Sequence, residues 1–256
     1  MQFETIEVAV DGERGSLTLN RPEKLNPLSV ETLGEIEAAA RWFDTHPDLK
    51  VVVVSGRGRA FCAGFDLVSF GSVDTEHPRA AADAGWRMGR ALEEMQAVTV
   101  ARIQGWCVGG GLVLAAGCDL RVVADDARFS IPEVELGIPL AWGGIPRLVR
   151  EIGPARTKEL VMTCREFGPA EAHAAGFVNS VVPAAGLDAA VDELVATLVR
   201  MPKLALVATK VHTNAVTESM VGAGRSWSDA DVLSSALADP ECREAGVRYL
   251  SRKRGQ

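Results

Sequence analysis

Two glycine-rich stretches in this 256-residue chain have the composition of a reactive site: AFCAGFDL at residues 60–67 and CVGGGLVL at residues 107–114. Each follows an apolar run. Glycine at such a turn permits positive φ and lets backbone N–H groups approach a ligand, while a helix N-terminus adds partial positive charge. Two turns of this kind facing each other make an oxyanion hole, which matters most where a carbonyl oxygen gains charge. The simpler explanation of an isolated Gly-Gly-Gly is close packing of helix on strand. Other chemistries lack their residues: there is no G-x-x-x-x-G-K-[ST], no G-x-G-x-x-G with a ribose-binding acid, and no G-x-S-x-G. Cys62, Cys107, Cys118, Cys164 and Cys242 lie far apart, as do the four histidines, so no metal site is expected and the cysteines read as reduced thiols.

The elements that must position these turns alternate between strand and helix patterns. FETIEVAVDGERGSLTLNRP reads as an opening hairpin about Asp11-Gly12, and Ser29 as the N-cap of a helix with Val30, Leu33, Ile36 and Ala40 on its apolar face. KVVVVSG is too short for a helix and has the form of a strand covered on both faces. Strand, glycine turn and helix then recur, with helices expected near 81–97 and 110–117 and strands at LRVVA and RFSIP. From about residue 154 the periods are helical. The division expected is an α/β core at 1–195 and a C-terminal helical region at 196–256.

Apolar residues make up 47% and charged residues 24%, the balance of a soluble protein. A net charge of −7 argues against nucleic acid as a partner. No apolar stretch is long enough to span a membrane and the first residues lack a signal pattern, so a cytoplasmic, membrane-free protein is expected.

Six segments, in order, raise the meaning of the glycine turns: NRPEKLNPLS, GRAFCAGFDL, IQGWCVGGGLVLAAGCDLRVVADDARFSIPEVELGI, GGIPRLVREIGPARTKELVMT, AEAHAAGFVNSVVP and ALVATK. Together they resemble the crotonase superfamily, the enoyl-CoA hydratases and isomerases, over nearly the whole chain. The resemblance implies a spiral of ββα units with a C-terminal helical trimerisation region, acyl-CoA thioester substrates, and trimers or pairs of trimers. No cofactor is implied beyond the substrate's own coenzyme A. It places the thioester oxygen between the amides of Phe65 and Gly110. It further implies a substrate and CoA site drawn from Arg21, Lys24, Ala63, Asp66, Leu67, Gly109, Val113, Leu140, Trp142 and Lys210, with Arg252 and Lys253 as weaker candidates for the phosphates. Residues 68–86, with Trp86, are expected to line the acyl pocket. Asp66 and Asp119 suit structural bonding at turns better than acid catalysis.

Hydratases that this chain resembles use two glutamates, one two residues past the Gly-Gly-Gly and one twenty residues further on. Here the first position is Val113 and the second Glu133. Hydration needs a base for water and an acid for C2. One carboxylate is enough to move a proton from C2 to C4, and the mitochondrial type of Δ3,Δ2-enoyl-CoA isomerase resembles this pattern. Glu133 is therefore the expected catalytic acid–base, its pKa raised by apolar walls such as Val113, Leu140 and Trp142. Glu135 reads as a surface carboxylate. Dienoyl-CoA isomerases and dehalogenases place an aspartate where this chain has Ala141. A hydratase with altered machinery and a non-catalytic acyl-CoA binder are the alternatives.

Overall fold

The computed structural model describes residues 2–66, 78–222, 224 and 229–254. The described strands are β1 (Ile6–Asp11), β2 (Arg14–Leu19), β3 (Val51–Gly56), β4 (Val98–Ile103), β5 (Trp106–Val108), β6 (Leu120–Ala124), β7 (Arg128–Ser130) and β8 (Ser180–Val182). The α-helices are α1 (Val30–Phe43), α2 (Pro78–Glu94), α3 (Gly110–Ala116), α4 (Gly144–Thr163), α5 (Pro169–Ala174), α6 (Leu187–Val199), α7 (Lys203–Met220), α8 (Asp229–Ala238) and α9 (Pro240–Arg254).

The hairpin forms as expected, β1 antiparallel to β2 around Gly12, and the rest of the large sheet is parallel in the order β1-β2-β3-β4-β6-β8. Period two along β3 divides its valines between two cores. Val52 and Val54 pack in the same cluster as Leu33, Ile36 and Phe43 of α1, while Val51 and Val53 pack with Leu187, Val191 and Val195 of α6. A strand covered on both faces has no polar side to show, which is why VVVV is uninterrupted. Ser29 caps α1 with its hydroxyl, accepting from the Thr32 amide at 3.1 Å.

Three successive turns of chain run from the large sheet into a second, shorter layer. Cys62 follows β3, β5 follows β4, and β7 follows β6. Cys62 bridges Cys107 of β5, β5 pairs in parallel with β7, and Phe129 of β7 bridges Phe167. The chain thus forms the α/β spiral of ββα units expected from its sequence, and the second layer carries the glycine turns.

Three features differ from the sequence expectation. The stretch after residue 154 is not wholly helical: β8 returns to the large sheet, Asn179 N–H donating to Arg121 O and Asp125 N–H to Val182 O. A three-residue strand is too short to show a period of two. Helix α4 begins ten residues before 154 and breaks direction at Gly153 (φ +74°), just ahead of Pro154, whose ring cannot continue the amide ladder. Helix α6 runs through residue 195 to Val199, and Leu198 and Val199 pack on the same cluster as Val191 and Val195.

Candidate active site

The segment NRPEKLN braces the first glycine turn. Leu25 and Asn26 both have left-handed backbone (φ +63° and +55°), and the buried Asn26 amide donates to the carbonyls of Arg57 and Ala60, each at 2.9 Å. Ala63 N–H donates to Leu25 O at 2.9 Å, Leu28 N–H to Gly64 O at 2.8 Å and Asp66 N–H to Leu28 O at 2.9 Å. Sequence reading missed Asn26 as the organiser of this turn. The available signal was the Asn itself, a residue that tolerates left-handed backbone.

The second turn meets the first. Val108 N–H donates to Cys62 O at 3.0 Å, and a methyl on Gly64 (φ +92°) would lie 2.9 Å from Val108 O and 3.6 Å from Gly110 N. Gly110 opens α3, so its amide has no intrahelical acceptor. Each of the three glycines has its own reason. A Cβ on Gly109 (φ +49°) would stand 2.2 Å from Glu133 Oε1, one on Gly110 would stand 2.4 Å from the Trp142 ring, and one on Gly111 would strike Cys62 O at 2.8 Å. Close packing explains Gly111 alone; the other two make room for a carboxylate and an indole.

Glu133 sits in the turn after β7. The residue as a whole is half-buried, yet its carboxyl end is sealed, and Oε2 has no hydrogen-bond partner. Burial raises its pKa from 4.5 to about 7 against a smaller opposing bond from its own backbone amide. This shift corresponds to about 3 kcal/mol between protonation states. The carboxyl borders a cavity of about 60 Å3 lined by Ala63, Gly64, Phe65, Val108, Gly109, Pro132, Leu136, Ile138 and Tyr249. Glu133 is the one carboxylate among the described residues of that lining. Val108, Pro132, Leu136 and Ile138 are its apolar neighbours in that lining, whereas Val113, Leu140 and Trp142, expected as its walls, are not among the described lining residues. Val113 and Leu140 instead pack around Gly144, where a Cβ would come within 2.9 Å of Val113 and 2.8 Å of Leu140.

Trp142 roofs the site. Its backbone is left-handed (φ +62°), its ring meets Phe65 edge-on at 5.5 Å, and Gly85 of α2 leaves the space that the indole fills. The strained turn is held by Arg147, 1% exposed, which donates to Trp142 O at 2.7 Å and pairs with Glu93 at 2.8 Å. Ala141, at the aspartate position of other branches, is buried.

The cations divide differently from the expectation. Arg21 donates to Asp66 Oδ2 at 2.8 Å, so Asp66 serves the turn and Arg21 is partly neutralised. Lys24 is exposed, with no ion-pair partner among the described residues. Lys210 does not reach toward solvent and a phosphate: it is 8% exposed, and its ammonium pairs with Asp119 at 2.8 Å and donates to Leu92 O and Ala97 O. Helix α7 lays this side chain over the core, so three acceptors surround it. Arg252 pairs with Glu135 at 2.6 Å. Leu67 and the side chain of Lys253 lie outside the described residues, as does most of 68–86; Trp86 lies at the surface on α2, outside the lining of the Glu133 cavity. Tyr249 of α9 is a site residue the sequence did not reveal, because nothing local ties residue 249 to residue 133.

The cysteines are all free, and burial pushes the Cys62 and Cys118 thiols up to about 12. Among the described residues no group of acids, histidines or cysteines is arranged to hold a metal, and no helix is long and apolar enough to cross a membrane.

The parallel spiral thus seals a carboxylate beside two converging glycine turns. The profile of the family described as enoyl-CoA hydratase/isomerase matches residues 15–256. The chain is 33% identical over 256 residues to a probable enoyl-CoA hydratase of Mycobacterium bovis, covering 100% of this chain and 98% of the relative. It is 32% identical to a peroxisomal Delta(3,5)-Delta(2,4)-dienoyl-CoA isomerase of Arabidopsis thaliana, covering 92% of each. A crystal structure of an enoyl-CoA hydratase from Mycobacterium avium subsp. paratuberculosis superposes with a TM-score of 0.86 at 27% identity, over 96% of this chain and 99% of that one. The chain belongs to the enoyl-CoA hydratase/isomerase family, the crotonase superfamily.

Proposed function

We propose that this enzyme moves the double bond of a 3-enoyl-CoA to the 2-position, with Glu133 as the single acid–base group. The observation that carries this reading is the sealed, unpartnered Glu133 Oε2 in a cavity with no second carboxylate among its described lining residues, while the place of the hydratases' first glutamate holds the buried Val113. The Glu133 carboxylate takes a proton from C2, and the C–H electrons pass through C1 onto the thioester oxygen. The amides of Phe65 and Gly110 donate to that oxygen. The protonated carboxyl then returns the proton to C4, the C2=C3 bond forms and the carbonyl is restored. A group that must both accept and give a proton works best with a pKa near the working pH, and about 7 meets that need.

Coenzyme A enters as part of the substrate, and the reaction asks for no further cofactor. Lys24, exposed on the brace beside Ala63, is the cation offered to its phosphates. Exposed Leu204, Val211 and Met220 along α7 offer an apolar surface for self-association, and the assembly proposed is a trimer or pair of trimers.

A second reading, addition of water to a 2-enoyl-CoA, is favoured by the names of the relatives, most of them hydratases. Purified protein given a 3-enoyl-CoA and, separately, a 2-enoyl-CoA decides between the two. Appearance of the conjugated thioester from the first supports isomerisation; rapid loss of conjugation in the second, with the first untouched, supports hydration.

A further inference from the structure

The C-terminal helix borders the reaction cavity. Tyr249 is 8% exposed and lines the same space as Glu133, Phe65 and Gly109, with Leu136 and Ile138 as its neighbours in the lining. Its position is set by a tight seat of α9 on the Glu133 turn. Gly137 (φ +74°) lies so close to α9 that a Cβ there would stand 2.1 Å from Cys242 O, and one on Gly246 would stand 3.1 Å from Leu136 O. Arg252 adds a bond to Glu135 and stacks over the Tyr249 ring at 5.5 Å. Two glycines, an ion pair and a cation–π contact therefore hold one aromatic ring over the chamber. Burial, then the charges of Glu135 and Glu133, raise the phenol's pKa, so the ring presents a neutral wall at working pH.

The space bordered by the described lining residues is about 60 Å3, small beside an acyl tail of eight or ten carbons. A substrate whose C2 and C4 both face Glu133 must run its tail onward along this lining. We propose that Tyr249 is the end wall of the acyl pocket and restricts this enzyme to CoA thioesters of short acyl chains. The inference rests on Glu133 marking the reacting carbons, and it adds the substrate class.

Saturated acyl-CoA esters test it without turnover. Calorimetric affinities of butanoyl-, octanoyl- and decanoyl-CoA are compared for the native enzyme, Tyr249→Ala, Tyr249→Leu and Tyr249→Phe. The native enzyme is expected to prefer butanoyl- over decanoyl-CoA by about tenfold or more, since a single methylene in an apolar pocket is worth ~10-fold upward. Tyr249→Ala should erase that preference and Tyr249→Phe should keep it. Tyr249→Leu, which shortens the wall while preserving an apolar core, carries the expectation should the alanine variant not fold. A native enzyme that binds all lengths equally, or a length profile unchanged by removal of the ring, overturns the proposal. A short-chain profile that depends on Tyr249, in an enzyme that shifts no double bond, leaves the wall standing and removes the isomerase reading instead.

Discussion

At the scale of the residue, Glu133 is a carboxyl held where charge is costly. Its folded value of about 7 lies above the unfolded 4.5, so its contribution to stability is fully present below pH 4.5 and is lost as pH rises through 7. Glu133→Gln should therefore gain stability over the native enzyme with rising pH, from little at pH 4 to about 3 kcal/mol at pH 8, as denaturant midpoints at the two pH values measure. Its activity should fall in the opposite sense, by about 10²- to 10⁴-fold. The kcat/KM of the native enzyme should drop about tenfold per unit below pH 7, because only the carboxylate form takes the C2 proton. A variant that loses activity while gaining stability at high pH is the mark of a buried base, one that a structural carboxylate paired with a cation does not share.

At the scale of the element, the decisive feature is a turn without side chains. Gly109 combines left-handed backbone with contact against the Glu133 carboxyl, so Gly109→Ala faces strain of about 1–3 kcal/mol and a collision that pushes the carboxylate away. Expected are a lowered melting temperature and a loss in kcat larger than any change in the affinity for a saturated acyl-CoA. Much at this scale was legible in the sequence. The hairpin at Gly12, the Ser29 cap, the valine strand and both glycine turns announce themselves because each depends on residues adjacent in the chain. The segments that carry the family resemblance fixed Glu133 and the place of Val113. What stayed hidden depends on tertiary approach: the Asn26 brace reaching Ala60, the Gly137–Gly246 seat beneath α9, Tyr249 over the chamber, and β8, whose three residues carry no period of their own. Lys210 misled for the same reason. A lysine beside a recognisable motif reads as a phosphate contact until the fold shows which carbonyls it covers.

At the scale of the whole molecule, the C-terminal helices present two different faces. Leu204 and Met220 of α7 are 82% and 73% exposed, more apolar surface than a soluble monomer usually leaves open on one helix. Light scattering should give a multiple of three times the 27.2 kDa chain, and Leu204→Glu combined with Val211→Glu should reduce it to the single chain. The inward face of α7 is polar at one point, where Lys210 meets Asp119 and the carbonyls of Leu92 and Ala97. Asp119 also accepts from the Thr99 amide at 2.7 Å and hydroxyl at 2.9 Å, so this one carboxylate joins β4, the end of α3 and α7. Lys210→Met removes the cation and leaves Asp119 partly buried without it. Breaking a buried pair from one side costs about 3–5 kcal/mol. If the ammonium is structural, the variant melts earlier by an amount of that size, while the affinity of the folded protein for an acyl-CoA stays within a few fold and keeps its salt dependence. If it reaches phosphate, the affinity falls by tenfold or more and becomes less sensitive to salt, with little change in stability. The burial of Lys210 and its three acceptors predict the first outcome.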